Sequence, residues 1–220
     1  MYNFEFFYYP GKYLNYLEMS KLISEIKNIA SYEGKNLPDP ARDFLKEKIL
    51  LVARKNGRAH AYRLAEFVKI PHNISVLCIQ DVVSTPAVNK NDINYQMLSL
   101  LIKNIVLRFR LFSNTYVCCT NSNFFDAMRF EDDFYDVFPT IAIEPKNRVS
   151  YTTIIEYLIS NRQDILDIND ISEVDRKTYF INNNRLIQIG RINAIKCIIN
   201  LFVGKDYSKS NKVLTSDNII

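Results

Sequence analysis

The sequence predicts a mixed α/β protein: a mostly antiparallel central sheet flanked by helices, with a C-terminal α-rich extension. Three observations predict it. Two β-rich runs flank Asn56-Gly57, a pair that supplies the positive φ values of a tight hairpin turn. A third run, SVLCIQDVV, leads through STPAVNKND into INYQMLSLLIKNIVLRFR, where Leu98, Leu101, Ile102, Ile105, Val106 and Phe109 fall on one helical stripe. Another apolar run, TYVCCT, follows that helix. Strand, loop, helix, strand is how an open sheet presents a helix N-terminus to a phosphorylated ligand.

Each element follows in order. Alternation in YNFEF gives a first strand that buries Tyr2, Phe4 and Phe6 on one face. Over residues 20–32, Leu22, Ile23, Ile26, Ile29 and Ala30 recur at helical spacing, with Ser20 as the expected N-cap. Asp39 and Pro40 open a short second helix. The hairpin comes next, and residues 75–83 make the third strand of the meander. The following helix spans residues 93–110, with Asp92 in the capping position.

Beyond Pro139, a helix is expected over residues 151–160, where Ile154, Ile155, Leu158 and Ile159 are apolar. RQDILDINDISEVDR reads as acidic and irregular, KTYFINNNRLIQIG as a hairpin about Asn182 to Asn184, and INAIKCIINLF as a final helix. Residues 1–140 are expected to form the main domain. Residues 141–220 would be an extension packed on it, with a polar tail from about residue 205.

Composition excludes several function classes. Five glycines among 220 residues leave no Gly-rich phosphate loop. A net charge of +4, with basic and acidic stretches interspersed, disfavours nucleic acid as partner. The start, MYNFEFFYYPGKY, has neither the basic nor the apolar region of a signal peptide, and the longest apolar runs are interrupted by Lys103 or Lys196. A cytoplasmic protein with no membrane partner is the expectation. Cys78, Cys118, Cys119 and Cys197 lie in apolar contexts and read as reduced, buried thiols. His60 and His72 are the only histidines, without ligand spacing, so no metal is expected.

The order of elements, and the spacing from Pro86 into the helix, resemble the GCN5-related N-acetyltransferase fold over roughly residues 1–140. In that family a central strand splays from its neighbour and an acyl-coenzyme A wedges into the gap. Counting from Pro86, Asn89 stands at the first basic or amide position of the family's pyrophosphate loop, and Asp92 and Asn94 stand at its two glycines. Both glycines are missing, and an acid at a helix entrance repels phosphate. TNSNFFDAMRFEDDFYDVFP is similar to the segment after the last core strand in larger members, keeping its terminal proline as Pro139.

The resemblance implies acyl transfer from acetyl-coenzyme A, or another acyl-coenzyme A, to a small-molecule or protein amine. It implies that the backbone of Val82, Val83 and Ser84 aligns the thioester arm. Asn89, Lys90, Asn91, Asp92, Ile93 and Asn94 would meet the pyrophosphate, and Asn121 and Asn123 the thiol end. Asp81 or Glu66 would deprotonate the amine, and Tyr135 would protonate the leaving thiolate. Two alternatives stay open: a catalytically inactive binding or regulatory module, and an acyltransferase that uses an acyl-carrier protein. A homodimer is compatible with either.

Overall fold

The computed structural model describes residues 2–109, 115–121, 130, 134–139, 148–182 and 185–192. The strands are β1 (Asn3–Tyr8), β2 (Ile49–Lys55), β3 (Arg58–Ile70), β4 (Ile74–Ile79), β5 (Val83–Ser84), β6 (Tyr116–Asn121), β7 (Tyr135–Phe138), β8 (Phe180–Ile181) and β9 (Arg185–Arg191). The helices are α1 (Pro10–Tyr13), α2 (Tyr16–Ser31), α3 (Ala41–Phe44), α4 (Lys90–Phe109), α5 (Arg148–Asn161) and α6 (Gln163–Leu166). The strand order is β1-β2-β3-β4-β6-β9-β7, with β5 paired to β3 and β8 to β9. β4 and β6 run parallel, and the other described pairs are antiparallel.

The expected hairpin is present, with Asn56 at φ 52 and Gly57 at φ 75, both in the left-handed region that its two-residue turn requires. α2 begins earlier than its apolar periodicity suggests. Asn15, not Ser20, caps it: the Asn15 side chain accepts from Glu18 N, and the Glu18 carboxylate accepts from Asn15 N. Tyr16 and Leu17 are exposed, so the first turn carries no apolar stripe to announce it. α4 likewise starts at Lys90, three residues before the expected Ile93, and Asp92 lies in its first turn. The backbone bond from Ile93 N to Asn89 O at 3.2 Å closes that turn.

Two layers of helix enclose the sheet. α4 covers one face, burying Ile93, Met97, Leu98, Leu101, Ile102, Ile105 and Val106 over Leu51, Leu77, Ile79 and Val117. Each such aliphatic side chain contributes about 1.5–3 kcal/mol on full burial. α2 covers the other face above Leu50, Val52 and Leu64, and α5 continues that layer above Val68, Cys78 and Cys118. Cys118 and Cys119 therefore belong to opposite cores, as strand alternation requires. Cys78, Cys118 and Cys119 are buried and reduced, and the hydrogen bond with Cys78, with burial second, raises the Cys118 thiol pKa.

The extension supplies α5 and α6, a short 3-10 turn at Ile171–Glu173 where the sequence reads as irregular, and the β8–β9 hairpin. β9 inserts between β6 and β7, so residues after 140 complete the central sheet. The expected final helix, the polar tail, Cys197 and Asn123 lie outside the described residues. Among the described residues no helix is long and apolar enough to cross a membrane.

Candidate functional site: a gap between two parallel strands

The site begins at a bulge. β3 and β4 pair from Ile70↔Ile74 to Ala65↔Ile79, and pairing resumes at Tyr62↔Val83. Four steps from Ile79 to Val83 face three from Ala65 to Tyr62, so β4 carries one extra residue there. Asp81 lies in this bulge, half-buried, and its Oδ1 accepts from Val82 N at 2.8 Å.

Beyond the bulge the chain leaves β6. The parallel ladder runs from Val76↔Tyr116 to Ile79↔Cys119 and stops, while Thr120 and Asn121 continue pairing with β9 only. Val83 and Ser84 stay with β3. A gap therefore opens between Val82, Val83 and Ser84 on one side and Thr120 and Asn121 on the other, with the start of α4 beside it.

Polar side chains border this gap. Asn121 Nδ2 donates to Gln188 Oε1 at 2.6 Å, and its Oδ1 accepts from the Cys119 thiol at 3.6 Å. Thr120 is 2% exposed, and among the described residues its hydroxyl has no hydrogen-bond partner. An orphaned buried hydroxyl costs desolvation free energy that a polar ligand atom would offset. Ser84 N donates to Glu33 Oε1 at 3.1 Å, and Lys90 Nζ meets the same oxygen at 3.0 Å.

The helix entrance is occupied by its own side chains. Asn89 Oδ1 accepts from Asn91 N at 3.2 Å, and Asn89 Nδ2 donates to Asp92 Oδ2 at 2.9 Å. Asn89 thus takes the capping role expected of Asp92. Asn94 is 4% exposed and turns inward, where its Oδ1 accepts from Arg63 Nη1 at 2.6 Å. The entrance lacks the bare backbone of a glycine loop.

The remaining expected residues scatter. Ile93 is buried in the α4 core. Glu66 lies across from Cys78, before the bulge and on the face of α2 and α5, buried in an ion-paired cluster with Lys48 and Arg162. Tyr135 is on β7, with β9 between it and β6. Sequence reasoning missed Arg63 and Glu33. A signal for Arg63 exists: Ala61 and Ala65, two positions to either side on the same strand face, leave room for a long side chain to lie over the sheet. Glu33 has no such signal, because its strand partner Ser84 is 51 residues away in sequence. Among the described residues no group of three or more metal-ligating side chains occurs.

A mixed sheet whose single parallel pair among the described strands parts at a bulge, facing a helix N-terminus, is the arrangement that the resemblance to the GCN5-related N-acetyltransferase fold implies. No family model matches the chain, and no curated protein matches it. Among solved structures it is similar to an acyl-CoA N-acyltransferase from Pseudomonas aeruginosa, at 19% identity over 63% of this chain and 91% of that one, with TM-score 0.43. It is similar to Escherichia coli ElaA, at 14% identity over 64% and 95% of the two chains, with TM-score 0.44. An aminoglycoside acetyltransferase from an uncultured soil metagenomic sample is 14% identical over 59% and 88%, with TM-score 0.38.

Proposed function

We propose that the protein transfers an acyl group, acetyl in the simplest case, from acyl-coenzyme A to an amine. The observation that carries this reading is the parting of β4 from β6 after Ile79 and Cys119. An extended thioester arm laid in that gap would act as a surrogate strand, bonded to the backbone of Val82, Val83 and Ser84. The Thr120 hydroxyl, unpartnered among the described residues, supports a polar ligand atom there. Asn121 and Asn123 belong to the thiol end in this reading. Asn89, Lys90 and Asn91 belong to the phosphate end, where Lys90 supplies positive charge beside Asp92.

Asp81 is the proposed proton acceptor for the amine. It is the acid on the bulge itself, adjacent to the backbone that would align the thioester. Glu66, already neutralised by Lys48 and Arg162, is assigned to the fold rather than to proton transfer. Tyr135, level with Tyr116 and two strands from β6, stands away from the gap and carries no proton transfer in this reading.

Calorimetric titration and thermal shift with acetyl-coenzyme A and a long-chain acyl-coenzyme A test the reading. Binding raises the melting temperature by mass action. Absence of both heat and shift at millimolar ligand overturns it. A second reading, a binding module without turnover, is favoured by the self-capped entrance at Asn89 and Asp92. Its signature is a thermal shift with no transfer to any of a panel of amines.

A further inference from the structure

Arg63 on β3 is 1% exposed and reaches β6 at Cys119, the last rung before β4 and β6 part. Its Nε donates to Gln80 O at 2.9 Å, its Nη1 to Asn94 O at 3.1 Å and Asn94 Oδ1 at 2.6 Å, and its Nη2 to Cys119 Sγ at 3.5 Å. These acceptors come from three sides of the gap: the bulge, the first turns of α4, and β6. All are neutral, and among the described residues no carboxylate pairs with this buried cation. A guanidinium out of water is ordinarily held by an acid. Nη2 is the least satisfied of its nitrogens, because a thiol sulfur is a weak acceptor. It is also the nitrogen that reaches β6.

We infer that Arg63 is a clasp across the gap between β4 and β6, which an acyl arm entering the gap has to unfasten. The inference rests on the reading of that gap as the acyl-donor site. Anchored to Gln80 and Asn94, the side chain needs to release only the Cys119 contact for the β6 side to open. Entry breaks the Nη2 contact to the sulfur inside a dry site, so the clasp opposes the arm and its removal eases entry. Arg63 is in this sense a positioning residue: it holds the strand edges in register and sets how readily they part.

Hydrogen exchange and acetyl-coenzyme A titration of wild type, Arg63→Met and Asn94→Ala test the clasp. Exchange in residues 80–84 and 119–121 is expected to quicken roughly tenfold in both variants, the equivalent of one lost hydrogen bond, while Ile49 to Ala53 keep wild-type protection. Wild-type exchange at the gap in a folded variant overturns the clasp. Acetyl-coenzyme A is expected to bind Arg63→Met about tenfold more tightly than wild type, an effect that a merely structural role does not produce. Equal or weaker binding overturns the clasp and leaves the acyl-donor reading standing. Quickened exchange with no binding to any of the three proteins keeps the contact as a structural tie. It ends both the acyl-donor reading and the clasp's role in ligand entry. If Arg63→Met does not fold, Asn94→Ala decides by the same two readouts.

Discussion

The backbone amide of Ser84 donates to the carboxylate of Glu33 at 3.1 Å, and Lys90 closes on the same oxygen at 3.0 Å. Three elements meet there: the end of β5, the turn after α2, and the first residue of α4. The Glu33 side chain is 20% exposed, so water screens the contact only partly. Glu33→Ala is expected to cost about 1–2 kcal/mol, and Glu33→Gln less, because the amide oxygen still accepts from Ser84. Urea denaturation of the three proteins measures this; an alanine variant as stable as wild type counts against the tie.

Glu66 bridges Lys48 and Arg162 inside the layer under α5, with the Lys48 and Glu66 side chains 5% and 7% exposed. Removing the acid alone strands a buried cation. Glu66→Leu is expected to lose roughly 3–5 kcal/mol, and Lys48→Met combined with Glu66→Leu distinctly less. A double variant as damaged as the single one contradicts the pairing.

Gly11 is required by close approach. A Cβ there would lie 2.2 Å from Arg42 O and 2.7 Å from Lys46 N, both backbone atoms of the α3 segment. Gly11→Ala must push α1 from α3 and is expected to destabilise by about 2 kcal/mol or more. A thermal melt unchanged from wild type would show that the two segments can separate freely.

Acid should weaken the α6 junction. Burial pushes the Asp164 carboxyl upward, but the hydrogen bond and charge of Arg162, with Lys48, outweigh it and hold the group below the usual carboxylate range. A lowered folded-state pKa contributes stability above the unfolded value and loses it as pH falls through the folded one. The melting-temperature difference between wild type and Asp164→Asn should therefore shrink as pH falls below the ordinary carboxyl value of about 3.9. A difference independent of pH argues that Asp164 is not held charged.

Asp92 places a negative charge in the first turn of α4, against any anion that approaches the helix end. Asp92→Gly is expected to tighten acetyl-coenzyme A binding roughly two- to fivefold, the scale of one charge at a helix terminus. Weaker binding would mean that its bond from Asn89 holds the entrance in shape and that its charge matters less.

Much of this architecture is legible locally. The α4 stripe, the Asn56-Gly57 turn and the opposite faces of Cys118 and Cys119 follow from helix and strand periodicity alone. The helix starts are not legible, because apolar periodicity begins only where a helix meets the core. Tyr16 and Leu17 are helical and exposed, so α2 starts before its stripe does. At α4, Asn89 and Asp92 are both competent caps, and only the closing bond from Ile93 to Asn89 distinguishes them.

By itself the sequence determined the longer strands and helices and which faces they bury, because those properties depend on neighbours a few residues apart. The short α1, α6 and β7 carry no such pattern. The tertiary structure decided which strands meet and what stands between them. β9 enters beside β6, pairing Cys118 with Ile189, and Arg63 reaches Cys119, 56 residues away, at the last rung before the ladder parts. Backbone hydrogen-bonding groups are the same at every residue, so strand pairing carries no local label. The partner of a buried polar side chain is fixed only when distant segments pack together.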